Sequence, residues 1–139
     1  MARPKIEGLI PHAGRMCLLD ELVDYGPERI QCRARTHLAP DNPLRVQGEL
    51  ASVCGIEYAA QAMALHGRLT RQAQTSRAGF LASVRDVVCH VARLDEIRAD
   101  LVIDAERLMG DEARVVYGFS LAAGGTLLLT GRAAVILEP

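Results

Sequence analysis

One carboxylate and one imidazole stand where they can move protons. Glu57 lies in the run Cys54-Gly55-Ile56-Glu57-Tyr58-Ala59-Ala60-Gln61, among apolar and small residues. A carboxylate in that company is costly to bury unless it is paired or protonated, which suits it to general acid work. His12 lies in the constrained run Ile10-Pro11-His12-Ala13-Gly14 and offers a group that titrates near neutral pH. The plainer role for His12 is to cap a strand end or to sit at a dimer seam. Gln61 follows Glu57 by one helical turn, so it can orient that carboxylate or bond a neighbouring backbone group. Ser52, Val53, Cys54 and Gly55 begin the same segment. Free backbone amides at such a start can polarise a carbonyl, with Gly55 admitting a close approach. The candidate catalytic residues are thus His12 and Glu57, and the candidate substrate-binding residues are Cys54, Gly55 and Gln61.

The other histidines read as structural. His37 falls on the polar side of an alternating stretch and is expected in solvent. His66 comes at the end of a helical segment, where a cation is favourable. His90 alternates with core positions and is expected to pack. Four scattered histidines without paired spacing, and no Cys-x-x-Cys, give no expectation of a metal. There is no G-x-S-x-G elbow, P-loop or G-x-G-x-x-G, which sets aside the common hydrolase and nucleotide-binding readings.

The elements that must hold these residues follow from periodicity. Residues 1–27 are a lead-in broken by Pro and Gly, with a short apolar strand or helical turn over residues 16–23. Residues 29–38 alternate, with Ile30, Cys32, Ala34, Thr36 and Leu38 on one side, as a half-buried strand does. Residues 39–48 contain Pro40, Asp41, Asn42 and Pro43 and form a loop. Residues 49–67 have no proline and are rich in Ala, Leu and Met, which predicts one helix, apolar nearly all round and therefore buried. Val53, Ile56, Glu57, Ala60, Gln61 and Ala64 share one of its faces. After a polar linker at 68–78, four strands follow: 79–94, 97–106, one through Val115, Tyr117, Phe119 and Leu121, and 126–137. Gly110-Asp111 and Gly124-Gly125 turn the chain between them. One antiparallel sheet folded around one helix is an α+β layout in a single domain.

Composition narrows the class. The chain has 139 residues, of which 50% are hydrophobic and 24% charged, as in a globular domain with a real core. The net charge of -1 speaks against a nucleic-acid or membrane binder, and the lack of Trp, with only two Phe, against a base-stacking platform. Cys17, Cys32, Cys54 and Cys89 all lie in apolar settings and read as reduced core thiols. With no signal-peptide run and no apolar stretch of membrane-spanning length, a cytoplasmic location is expected.

Two patches carry a resemblance. Ile10-Pro11-His12 followed by Met16-Cys17-Leu18-Leu19-Asp20 is similar to the opening of the hotdog-fold beta-hydroxyacyl-acyl-carrier-protein dehydratases. Ile56-Glu57-Tyr58-Ala59-Ala60-Gln61-Ala62 is similar to their glutamate-bearing helix. The chain departs from the standard members, which place a histidine in a G-H-F-P loop ahead of that glutamate. The matching position here is Pro43, and no histidine lies between His37 and Glu57. The opening and the Gly55-to-Gln61 run resemble more closely a divergent branch of these dehydratases found in aryl-polyene-type pathways. The resemblance implies a hotdog fold and dehydration of a 3-hydroxyacyl thioester to the trans-2-enoyl thioester. It implies no cofactor beyond the phosphopantetheine of an acyl carrier protein, or coenzyme A, that carries the substrate. It implies an acyl carrier protein as partner, in a homodimer or a heterodimer with another hotdog subunit. The alternatives are a non-catalytic subunit of a heteromeric dehydratase, which loss of the usual histidine fits, and an acyl thioesterase.

Overall fold

The structure, a computed structural model, describes residues 6, 8–10, 14–71, 79–111 and 113–137. These contain one α-helix and six strands: β1 (Glu21–Gly26), β2 (Arg29–Ala34), α1 (Gly55–Arg71), β3 (Gly79–Cys89), β4 (Leu101–Gly110), β5 (Arg114–Ala123) and β6 (Thr126–Leu137). The strands form one antiparallel sheet in the order β1-β2-β4-β5-β6-β3. Alternation sets the faces. Ile30, Cys32 and Ala34, then Leu101, Ile103 and Ala105, then Val115, Tyr117, Phe119 and Leu121 are all buried, while the residues between them are more open. The sheet wraps α1, whose inner side presents Tyr58, Ala59, Ala62, Met63 and Leu65, all buried. The two alanines let the strands approach the helix axis closely. This is the hotdog architecture that the sequence implies.

The helix begins later than the expected residue 49. Residues 50–52 are held in extended pairing instead: the Leu94 amide donates to Leu50 O at 2.8 Å, the Ser52 amide to Ala92 O at 2.9 Å, and Ala51 bridges Arg93. A 3-10 turn, Ser52–Cys54, then leads into α1. The helix also runs on to Arg71, into the stretch expected to be linker. The expected strand over 79–94 ends at Cys89, because residues 91–97 bend back toward the start of α1. The strand expected over 97–106 accordingly begins only at Leu101. Both expected turns are present: Gly124 and Gly125 have φ of 57° and 81° between β5 and β6, and the Asp111 amide closes on Arg114 O.

The two edges of the sheet differ. β1 is six residues long and carries two ion pairs with β2, Arg29–Asp24 and Arg33–Glu21, both at 2.7 Å. β3 is eleven residues long and leaves Leu81 and Val88 exposed, and a bulge places Asp86 at φ 57°. No helix of the described residues is long and apolar enough to cross a membrane.

Candidate active site

The first turn of α1 presents Glu57. Ile56, Glu57, Ala60 and Ala64 are half-buried and Val53 is exposed, so this stripe is the side of the helix that its own sheet leaves open. The helix is therefore buried on one side only, and Glu57 lies on the open side, not in the core. A carboxylate in the first helical turn is favoured by the partial positive charge of the unpaired amides there.

The remaining helix-start groups are turned to other tasks. The Ser52 amide is taken by Ala92 O, the Cys54 amide by Ala51 O at 3.0 Å, and the Gly55 amide by the carbonyls of Ser52 and Val53. The expected row of free amides is thus reduced. Gly55 also faces inward: a Cβ there would stand 2.7 Å from Leu129 Cδ2 and 2.9 Å from Leu121 Cδ2. The close approach it permits is by two core leucines, and this corrects its expected place against a substrate. Cys54 is half-buried with its Sγ toward Leu44 O, and burial pushes its thiol up from the ordinary value.

Gln61 takes the second of its two expected roles. It is fully buried; it accepts the Leu18 amide at 2.8 Å and donates to Met16 O at 2.6 Å. Its amide pins the segment that follows His12 to α1, one turn beyond Glu57. A second group of side chains, not foreseen from the sequence, supports the same segment. Thr36 Oγ1 donates its single proton to Leu18 O at 2.7 Å, so it accepts from the Tyr58 hydroxyl at 2.8 Å. Tyr58 in turn accepts from Asn42 Nδ2 at 3.1 Å, and Asn42 Nδ2 also donates to Thr36 O at 2.9 Å. The Asn42-Tyr58-Thr36-Leu18 chain is directed and fully satisfied, and bonds of this kind strengthen one another. Burial pushes the Tyr58 hydroxyl up, against the two hydrogen bonds. One sequence signal was available: Tyr58 directly follows Glu57 on an otherwise apolar helix, and a buried hydroxyl needs a partner. His12 lies outside the described residues.

The other histidines correct three expectations. His37 is not in solvent. β2 ends at Ala34, and a 3-10 turn, Thr36–Leu38, swings His37 into full burial. Its Nε2 donates to Ile97 O at 2.9 Å and Ala99 O at 3.1 Å, and desolvation holds its pKa below the ordinary value against those bonds. His66 is buried within α1 instead of standing at its end. Nε2 donates to Gly26 O at 2.8 Å, and Nδ1 shares a hydrogen bond of 2.7 Å with the Tyr117 hydroxyl. His90 is exposed just beyond β3, not packed. The thiols also divide. Only Cys32 is buried, its pKa pushed up to about 12 by desolvation, and Cys89 is exposed. Among the described residues no three His, Cys, Asp or Glu side chains are grouped to hold a metal.

Comparison with known proteins fits this geometry. The chain is similar over 99% of its length, and over 93% of the other chain, to the dehydratase heterocomplex ApeI:P from Xenorhabdus doucetiae, at 24% identity and a TM-score of 0.86. A mutant thioesterase from Pseudomonas aeruginosa matches at 13% identity and a TM-score of 0.64, over 85% of this chain and 80% of that one. A hypothetical thioesterase with coenzyme A from Streptococcus pneumoniae matches at 12% identity and a TM-score of 0.64, over 85% and 84%. At these identities the likenesses speak for the fold alone. No curated protein matches significantly. The family model for ApeP dehydratase matches residues 4–139, nearly the whole chain with both the His12 and the Glu57 segments, and the chain belongs to that family.

Proposed function

We propose that this chain takes part in the dehydration of 3-hydroxyacyl thioesters, carried on the phosphopantetheine of an acyl carrier protein or on coenzyme A, to trans-2-enoyl thioesters. The observation that carries the reading is Glu57, half-buried on the open stripe of α1 in a chain of the ApeP dehydratase family. In the reaction a base takes the C2 proton, the C2–H electrons form the C2–C3 double bond, and the C3 hydroxyl leaves as water after accepting a proton. Glu57 is the proposed acid and His12 the proposed base. Met16, four residues after His12, is bonded to Gln61, one turn from Glu57. Cys54 stands beside this stripe and is the proposed lining group, while Gln61 acts through the segment it holds.

A second sheet has to cover the stripe and the long β3 edge, in a homodimer or a heterodimer with another hotdog subunit. The heterocomplex of the similar structure favours the heterodimer, in which this chain supplies one of the two reacting groups or only completes the partner's site. The thioesterase reading rests on fold likeness alone. Four free thiols fit the reducing cytoplasm.

The test is conversion of a 3-hydroxyacyl pantetheine thioester by the purified chain, alone and mixed with a candidate hotdog partner subunit. Glu57→Gln keeps shape but cannot exchange a proton, so turnover is expected to fall on the order of 10²-fold or more. His12→Ala is expected to do equal damage. Equal rates in wild type and Glu57→Gln refute the assignment of Glu57. Full activity of His12→Ala removes His12 from the chemistry.

A further inference from the structure

We propose that Asp95 is a positioning residue: with Arg93 it clamps residues 50–52 and so fixes where α1 begins and where Glu57 stands. The inference rests on the reading that the start of α1 holds the reaction site. Asp95 Oδ1 accepts the Leu50 amide at 2.8 Å and Arg93 Nε at 3.2 Å, while Oδ2 takes Arg93 Nη2 at 2.5 Å. The Asp95 side chain is only 7% exposed. The guanidinium also reaches Glu49 Oε1 at 3.4 Å and Glu96 Oε2 at 3.8 Å, so its remaining charge faces both ends of the clamp. Backbone bonds run beside it, from the Leu94 amide to Leu50 O and from the Ser52 amide to Ala92 O. Leu50 and Leu94 are both fully buried, so an orphaned Leu50 amide would find no water.

The clamp acts on a place that the core holds only in part, through Leu50, Ser52 and Gly55. From Tyr58 onward α1 is held by buried side chains, whereas Val53 is exposed and Cys54 and Glu57 are half-buried. Residues 50–52 are therefore the lever between the bend at 92–95 and the first turn of the helix. The Arg93 guanidinium, followed by the Leu50 amide, holds the Asp95 carboxyl well below the usual carboxylate range, so the carboxylate is charged throughout the physiological range. Misplacement of a reacting group by about 1 Å is enough to lower a rate by orders of magnitude without changing what binds.

Two variants of the full chain test this. Asp95→Ala removes both acceptors; Asp95→Asn keeps one for the Leu50 amide and loses the charge that Arg93 grips. Hydrogen exchange at residues 50–54 is expected to quicken at least tenfold in Asp95→Ala and less in Asp95→Asn. Exchange over 58–66 stays within about twofold of wild type. With the 3-hydroxyacyl pantetheine thioester, kcat of Asp95→Ala falls about tenfold while KM stays within about twofold, and Asp95→Asn recovers part of the loss. Unchanged exchange at residues 50–54, or equal quickening across 58–66, overturns the clamp. Quickened exchange with unchanged kcat overturns its role in positioning Glu57. A wild-type chain that is inactive both alone and mixed with another hotdog subunit counts against the dehydration reading, and the exchange measurement still decides the clamp.

Discussion

Replacing Gln61 separates its holding role from its presence near Glu57. Gln61→Leu keeps the volume and removes both bonds. Leu18 is fully buried, so its amide loses its acceptor with no water to replace it, at a cost of about 1–3 kcal/mol. The Met16 carbonyl is near the surface and recovers part of its loss from solvent, so its share is about 1 kcal/mol. The sum is about 2–4 kcal/mol, a large part of the stability of an ordinary domain. Gln61→Glu gives a different signature. One carboxylate oxygen still accepts the Leu18 amide, but the other is set against Met16 O, where only a protonated oxygen can bond. A carboxyl whose folded pKa is raised in this way supplies stability that is present below its unfolded pKa and lost as pH rises through the folded one. The Glu variant is therefore expected to be weaker than wild type by about 1–3 kcal/mol at pH 7.5 and to recover toward pH 5. Urea unfolding followed by far-ultraviolet circular dichroism, at one protein concentration and two pH values, reads both. A Gln61→Leu chain within about 0.5 kcal/mol of wild type, or a Glu variant with no pH-dependent difference, refutes the argument.

Gly55→Ala gains helix propensity of at most about 1 kcal/mol but drives a methyl into Leu129 and Leu121, so a net loss of about 1–2 kcal/mol in urea unfolding is expected; equal or greater stability contradicts the packing role. His37 is buried and its pKa is lowered, so below about pH 6.5 the unfolded chain binds a proton that the folded chain refuses. Wild type should thus lose stability against His37→Gln as pH falls from 7 to 5, by up to about 1.4 kcal/mol per unit, and parallel curves would show that His37 does not titrate differently on folding. Tyr58→Phe interrupts the Asn42-Tyr58-Thr36-Leu18 chain and is expected to cost about 1–2 kcal/mol; a silent substitution would mean that the chain carries no net stability.

The sheet was largely legible because alternation and glycine turns are local signals. Val115, Tyr117, Phe119 and Leu121 line one face as their spacing demands, and Gly124-Gly125 takes the positive φ that turns there require. What failed to be legible depends on distant partners. The alternation of residues 29–38 runs on in the letters to Leu38. The backbone leaves it after Ala34, where Thr36 is needed at Leu18 and His37 at Ile97 and Ala99. Residues 49–54 have helical composition, yet the bend at 92–95 holds residues 50–52 extended. Gln61 was open between two roles because only the position of Met16 and Leu18 decides between them. Glu57 was legible as a site residue from its apolar surroundings, but that it lies on an open stripe and not in the core depends on which side the sheet covers.

If the proposed second hotdog subunit pairs on β3, the unlike edges of the sheet give the molecule a valence of one. β1 is short and charged, which blunts it as an edge, whereas β3 is long, partly apolar and, among the described residues, without a neighbour on its outer side. A sheet with two adhesive borders can add copies without limit, as fibres do. With a single adhesive border, growth along the hydrogen-bonding direction stops after one addition, because the composite sheet then ends in β1-type strands on both sides.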